Sequence, residues 1–410
     1  MHILVESQFF YPEQMRINDI CVSLVEKGHK VTVVTSIPNY PEGKYFKGYG
    51  LFSKRKETYK GIAVIHIPVI PRGKGFIGLT LNYVSFVVSG WFFAHFTSLK
   101  PDLVFMNMSS PMTQSLVGVW LAKRRRIPSA IYILDLWPES VTAITGITSS
   151  LVINPIGRMV DSIYRRTEKV LTSSHSFIES IVQRGVRADK LLFWPQYAEE
   201  FYRPVEQDSF SDILVPQDGT INIAFTGNIG LAQGLDILIP VAKMLKQEVL
   251  QVRFVLIGDG SDKQRLLDLV EENGLMDFFL FISRQPAVRI PEYLAFCDAG
   301  LVVLKKSEIF AKTIPAKVQS YLACNIPLIV SADGEVQQVV REAEAGFVAD
   351  AEDVEGLVKA VGEFSRLSKE ERQRLRNNAR SYSEMMFSKE TLIAQLENLF
   401  YSLVKDTANV

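Results

Sequence analysis

Cysteine is almost absent: Cys21, Cys297 and Cys324 are the three in 410 residues, scattered and without CxxC spacing. An odd, dispersed set excludes a complete disulfide framework, and free thiols in a reducing compartment are expected. Histidine is scarce too, with five isolated residues, and no DxD triplet occurs. No metal is therefore expected in the site. Net charge is lacking altogether, since 45 Lys and Arg balance 45 Asp and Glu. There is no internal repeat or low-complexity tract. No basic leader or cleavage site precedes the opening HILVE, so no secretory signal is expected.

What is present is an ordinary globular composition, 47% hydrophobic and 22% charged, in a chain too long for one compact core. The balanced charge is unevenly divided. Residues 1–198 hold 23 Lys and Arg against 13 Asp and Glu, and the remainder 22 against 32. A basic half and an acidic half attract each other, and the basic one is suited to an anionic surface. Strand patterns at His2–Glu6, Lys30–Thr35, Ile62–Ile67, Asp102–Met106, Ser129–Leu134, Lys169–Thr172 and Leu191–Trp194 alternate with helices, beginning with Glu13–Glu26. A polar linker, Ala198–Gly219, interrupts them. A second series begins at Ile221 and continues at Arg253–Ile257, Phe278–Phe281, Gly300–Leu304 and Pro327–Val330. Such alternation predicts parallel sheets covered on both faces. The expected division is 1–198, 199–385, and 386–410, whose amphipathic helix Lys389–Val404 is long enough to reach back onto the first domain.

Phe76 to Leu99 is 24 residues without Lys, Arg, Asp or Glu, flanked by Arg72, Lys74 and Lys100. Its length permits a membrane span. Asn82, Ser85, Ser89, His95, Thr97 and Ser98 make it wet for one, and it lies between two strands of one sheet. It reads as a buried helix of the first domain or as a helix whose outer face dips into a bilayer surface. The clusters Lys54-Arg55-Lys56 and Lys123–Arg126 are ordinarily solvated surface; with the basic half, they fit contact with anionic lipid.

The second half opens on INIAFTGNIGLAQGLDIL (Ile221–Leu238): a strand, the turn Thr226-Gly227-Asn228-Ile229-Gly230, and a helical pattern from Gly234. Glycines expose backbone N–H groups and a helix start adds partial positive charge, which together suit a nucleotide diphosphate held in a cleft between two domains. The same string also serves as a plain β–α turn.

GHKVTVVT (Gly28–Thr35), TGNIGLAQGLD (Thr226–Asp236), IGDGSDKQRL (Ile257–Leu266) and IPAKVQSYLACNIPLIVS (Ile314–Ser331) resemble, in order, the landmarks of glycosyltransferase family 4. QFFYPEQMRIND (Gln8–Asp19), IPNYPEGKYFKGYG (Ile37–Gly50) and DLWPES (Asp135–Ser140) narrow the resemblance to the branch that adds N-acetyl-L-fucosamine in bacterial O-antigen and capsule assembly. The resemblance covers nearly the whole chain. It implies an α/β GT-B fold of two doubly wound Rossmann-like domains facing a cleft. It also implies a UDP-sugar donor on the C-terminal domain and a lipid-diphosphate-linked oligosaccharide acceptor on the N-terminal one. The protein would work on the cytoplasmic face of the plasma membrane, peripheral on its anionic surface, with no nucleic-acid partner. A UDP-sugar epimerase of the same architecture and a non-catalytic regulator stay open.

The resemblance implies roles at matched positions. Family members often carry an Arg and a Lys in the glycine turn, where this chain has Asn228 and Gln233. Lys305, Lys306, Lys312 and Lys317 are the nearest replacement cations, Lys312 and Lys317 the preferred pair, with plain solvated lysines as the alternative. Gly227, Gly230, Gly258, Gly260 and Arg284 are expected around the nucleotide. The second Glu of the family's E-x7-E motif, which grips the ribose, corresponds to Ser320, and the first to Ala311 or Lys312; Glu308 is out of register. Glu335 is expected to bond sugar or ribose hydroxyls, or to cap the helix after it. In the first domain Asp135 emerges where a strand ends. It is expected to take the acceptor hydroxyl proton or orient the sugar, with Glu139 on the same side if the segment is helical. An Asp135 N-cap is the structural alternative. Arg16 is expected near the donor phosphate, and Asn18, Asn39, Tyr40 and Glu42 around the acceptor.

Overall fold

The computed structural model describes residues 1–73, 75–207, 210 and 212–408, and leaves the side chains at 76, 144 and 408 aside. Lys74, one flank of the uncharged segment, lies outside the described residues. The chain forms two compact units, Met1–Trp194 with Leu392–Val410, and Pro195–Thr391.

The first unit is built on β1 (His2–Glu6), β2 (Lys30–Ser36), β3 (Lys56–Tyr59), β4 (Ile62–Ile67), β5 (Leu103–Met108), β6 (Ser129–Ile133), β7 (Lys169–Thr172) and β8 (Leu191–Phe193), ordered β3-β4-β2-β1-β5-β6-β7-β8. All pairs are parallel except β3–β4. The central strands are buried on both faces, as helices on either side demand. β3 escaped the sequence pattern because KETY is a polar edge strand. It joins β4 through a two-residue hairpin in which Lys60 and Gly61 both take positive φ, and Glu57 and Tyr59 fix it further through His66 and Tyr11.

The second unit holds β9 (Ile221–Asn228), β10 (Val252–Asp259), β11 (Phe279–Ile282), β12 (Ala299–Val303), β13 (Leu328–Ser331) and β14 (Gly346–Ala349), ordered β11-β10-β9-β12-β13-β14, all parallel. The short edge strand β14, unlike the others, left no periodic trace. Helices from 238–247 and 354–365 cover one face, and 316–323, 335–343 and 369–386 the other.

The chain re-enters the first unit at Leu392, inside the helix Lys389–Ala408. This is six residues later than position 386, because Phe387 is buried in the second core and Lys389 pairs with Glu200 at 2.7 Å. From there Leu396 and Phe400 are buried, Phe400 lies 5.2 Å from the Phe105 ring, and Glu397 meets His29 at 2.8 Å and Lys27 at 3.1 Å. The first unit ends at Trp194 rather than 198; the buried Trp194 indole donates to the Leu392 carbonyl at 2.8 Å.

The uncharged segment forms the helix Gly75–Phe96, and it is not buried. Asn82, Phe86 and Ala94 face inward, and a Cβ on Gly90 would collide with Val117. Ile77, Leu81, Val84, Val88, Trp91, Phe92 and Phe96 stay exposed. By length and composition its 77–96 stretch would cross a membrane, yet its inward face belongs to the first unit's packing. The reading as a buried core helix fails because the segment is apolar all round while the helix Leu116–Arg125 and its surroundings cover only one side.

Candidate functional site

In the second unit, the candidate residues gather where β9, β10 and β12 end, the edge at which ligands of parallel sheets bind. Gly227 takes φ of +125°, open to glycine alone. Gly258 pairs with it across the ladder, and a Cβ there would lie 1.9 Å from the Gly227 carbonyl oxygen. Close backbone packing is thus enough to require Gly258, and the same holds for Gly260 against the Ile229 carbonyl.

Two expectations about the turn need correction. No helix starts at Gly234: two short 3-10 turns, Leu231–Gln233 and Leu235–Ile237, come first, and the helix Leu238–Gln247 begins only after them. Its dipole therefore does not bear on Gly227–Gly230. Nor are the turn's amides all available. The Ile229 N–H donates to the Asp259 carbonyl at 2.9 Å, and the Gly230 N–H to Gln233 Oε1 at 3.2 Å. Gln233 braces the turn instead of reaching outward, while Asn228 remains exposed.

The lysines divide. Lys305 packs along Gly234, at a cavity of about 320 Å³ lined also by Asp236 and Glu352. Lys306 is exposed and Lys312 half-buried after the short helix Glu308–Ala311. Lys317, in the first turn of the helix Ala316–Ala323, sets its amine 3.4 Å over the centre of the Phe225 ring. That amine is 4.0 Å from where a Cβ on Gly227 would lie. Burial pulls its pKa down to about 7, and it has no ion pair among the described residues. A desolvated, uncompensated amine beside a glycine turn calls for an anion.

Tyr321, one residue past Ser320, was not singled out by its sequence. Its hydroxyl accepts from the Thr226 N–H at 2.7 Å, tying this helix to the end of β9. Ser320 itself donates back to the Ala316 carbonyl at 3.1 Å, so its proton is committed inside its own helix. Glu308 is exposed at the start of a separate short helix. Glu335 is buried at the first position of Glu335–Ala343, after Gly334 rather than as its cap. Arg284 is exposed beyond the end of β11.

In the first unit, Glu13 is the organiser. It belongs to a turn, since the helix starts at Arg16 and not at Glu13. Its buried Oε1 accepts from the Asn39 and Tyr40 N–H groups, each at 2.7 Å, while Oε2 is buried without a partner. Burial raises its pKa to about 7 against the pull of those amides. Asn18 donates to the Glu13 carbonyl at 2.7 Å. Asn39 is fully buried; its side chain donates to Ile37 and accepts from the Arg72 N–H at 2.9 Å and from Asn82. Gln8 extends the network to Asn82 and Gln114. Asn39 therefore braces the loop and is too buried to meet an acceptor. Asn18 is tied to the same turn through its Nδ2, while its Oδ1 has no hydrogen-bond partner among the described residues. Tyr40 and Glu42 keep outward positions, with the Arg72 guanidinium 5.2 Å from the Tyr40 ring. Arg16 opens its helix and its charge acts on the buried Tyr132 hydroxyl.

Asp135 follows β6 and is half-buried, and burial raises its carboxyl above the ordinary value despite hydrogen bonds from Ser140, Ser110 and Trp137. It is not an N-cap: the helix Glu139–Thr145 starts after Pro138 without a side-chain cap. Glu139 turns to different company, 3.9 Å from Arg184, which holds Asp161 at 2.7 Å. The two carboxylates thus sit in separate hydrogen-bonding groups. Among the described residues no three His, Cys, Asp or Glu side chains gather as metal ligands.

Two family models match in tandem: a glycosyl transferase 4-like domain over residues 14–195 and glycosyl transferases group 1 over 206–382. The chain belongs to glycosyltransferase family 4. It is a hexosyltransferase-type enzyme of GT-B fold. It is 26% identical over 97% of its length, and 99% of theirs, to Escherichia coli K12 WcaI, named as a colanic acid biosynthesis glycosyl transferase. Among solved structures it resembles sucrose-phosphate synthase from Thermosynechococcus elongatus, with TM-score 0.72, 18% identity and 99% of both chains covered. It also resembles Anabaena HepE in complex with UDP and glucose, with TM-score 0.68, 16% identity, and 98% and 100% covered.

Proposed function

We propose that this glycosyltransferase moves N-acetyl-L-fucosamine from a UDP donor to a lipid-diphosphate-linked saccharide in O-antigen, capsule or exopolysaccharide assembly. The observation that carries the donor half is Lys317, an uncompensated amine beside Gly227, where a leaving diphosphate needs positive charge. The polysaccharide setting is supported by the likeness to WcaI and by the motifs Gln8–Asp19, Ile37–Gly50 and Asp135–Ser140. UDP as the nucleotide is supported by the fold shared with HepE. Asp135 is the proposed base or orienting group for the acceptor hydroxyl, its raised pKa bringing it nearer to working pH. Transfer proceeds without metal and with retention. The enzyme works at the cytoplasmic face, the exposed apolar side of the helix Gly75–Phe96 resting on anionic lipid. In that setting Arg124 and Arg125 have a second role, since they donate to the Ala94 and Thr97 carbonyls that end the helix.

The test is a panel of UDP-sugars incubated with and without lipid-linked acceptor. UDP release that depends on acceptor is expected, greatest with UDP-N-acetyl-L-fucosamine. A changed sugar without release would make the protein an epimerase, and binding without turnover a regulator.

A further inference from the structure

Beside the Asp135 hydrogen-bond cluster lies a groove of about 380 Å³, formed wholly within the first unit. Its walls are the helix Gly75–Phe96 through Leu79, Tyr83, Val84 and Val87, and the segment 137–156 through Val141 and Ile156. Among the described residues no charged side chain lines it. The size falls in the range of small-molecule sites, and an uncharged apolar lining suits hydrocarbon.

Three observations orient it. Ser110, Trp137 and Ser140 line the groove and also bond Asp135, so one end of the groove is the carboxylate's own hydrogen-bond shell. Tyr83, another wall residue, has its hydroxyl pKa raised by burial, with the charge of Arg72 pulling it down and those of Asp135 and Tyr40 pushing it up. Arg72 forms no ion pair among the described residues, and its guanidinium stands by Tyr40. Val84 and Val88 also line the groove and are half-exposed on the helix's open apolar side, so the groove reaches that surface. Apolar along its walls and bordered by the Asp135 carboxyl, with the Arg72 charge acting on the lining Tyr83, the groove matches an amphiphile: hydrocarbon, then phosphate, then sugar.

We propose that this groove takes the first stretch of the hydrocarbon tail of the lipid-linked acceptor, with Arg72 receiving the phosphate and the sugar presented to Asp135. The assignment rests on the transferase reading above and adds to it a binding site for the acceptor's tail. It makes tail length a determinant of acceptor use in solution, independent of any membrane.

Acceptors with the same diphosphate-linked sugar and tails of about two or about twelve carbons separate the readings, used without vesicles and below micelle-forming concentration. Each methylene buried is worth roughly fourfold in affinity, so the long tail is expected to lower KM by at least ~10²-fold. Val84→Asp, at a half-exposed rim position that spares the fold, and Val141→Trp, which fills the groove, are expected to abolish most of that preference. KM for the short-tailed acceptor should change less than about threefold. A diazirine near the diphosphate end of the long tail should label residues 79–88 and 137–156. Equal KM for both tails in the unsubstituted enzyme overturns the groove while leaving the transferase reading intact. Turnover with neither acceptor sinks the transferase reading, and the label then judges the groove: label elsewhere removes it. Variants that lose only vesicle binding, with tail preference unchanged, would assign the surface to bilayer lipid and overturn the proposal too.

Discussion

Both units end their central strands in a candidate site, but the two sites are made differently. In the first unit the loops after β1, β2 and β6 are stitched by buried polar side chains, Glu13 to Asn39 and Tyr40, Gln8 to Asn82 and Gln114, and Ser140 to Asp135. In the second the turn after β9 has fewer ties: two glycines, braces from Gln233 and Tyr321, and one desolvated lysine. The first site is held rigid before any ligand arrives, at the expense of burying a carboxyl. The second stores an unmet charge that a ligand must satisfy. Substitutions in the first are therefore expected to act on turnover and folding, and in the second on donor affinity and its pH dependence.

The largest effect is expected at Asp135. Asp135→Asn keeps the size of the side chain and an acceptor for the Ser140 hydroxyl but removes the basic oxygen. Turnover should fall by ~10²- to 10⁴-fold with donor affinity nearly unchanged. Stopped-flow turnover beside equilibrium UDP binding checks this. Near-normal turnover would take Asp135 out of the chemistry.

Next comes Glu13. Its pKa rises from 4.5 in the open chain to about 7 when folded, so the native state holds the proton more tightly than the unfolded chain. The stability this gives is complete below 4.5 and is lost as pH rises through about 7. A gap of that size corresponds to roughly 3 kcal/mol. Urea unfolding from pH 4 to 8 should show the decline, and Glu13→Gln, whose amide oxygen still accepts both N–H groups, should flatten it. An unchanged slope in the variant would place the titrating group elsewhere.

Lys317 carries the opposite sign. Its pKa is pulled below the ordinary lysine value to about 7, so the amine is increasingly neutral above that pH and must take up a proton when a diphosphate binds. UDP affinity should weaken above pH 7 with proton uptake visible by calorimetry in buffers of different ionisation enthalpy. Lys317→Met should cost about 1.5–3 kcal/mol of binding and remove that pH dependence. UDP binding that ignored both would refute the comparison drawn between the two sites.

How much of this was legible in the sequence follows from the same contrast. Strand alternation placed twelve of the fourteen strands among the described residues, since strands buried on both faces leave apolar runs; β3 and β14 are short edges whose pairing comes from neighbours. The sequence reached Lys317 only as one of four lysines that follow the Gly300–Leu304 strand, paired with Lys312, because which of them meets the glycine turn is set by how the helix Ala316–Ala323 packs. Asn39 was misjudged as an acceptor residue because polar residues in an unusual motif look alike whether they face a ligand or each other. Glu13 was passed over because a helical pattern ran through it. For the helix Gly75–Phe96 the sequence left a buried and an outward-facing reading side by side, because a helix apolar on every side looks the same buried or bare.

The smallest effect is expected at Ser320, and it probes how far family correspondence holds at single residues. By resemblance Ser320 stands where a ribose-gripping carboxylate belongs, yet its hydroxyl donates to the Ala316 carbonyl one turn back. Such a back-bond contributes little to a helix, and alanine is the better helix former. Ser320→Ala should therefore change stability by less than about 0.5 kcal/mol and the donor KM by less than about twofold. A tenfold loss of donor affinity would mean that the hydroxyl leaves its helix to meet the ribose. The second site would then reorganise around its ligand, and the contrast between a pre-braced and an open site would rest on Lys317 alone.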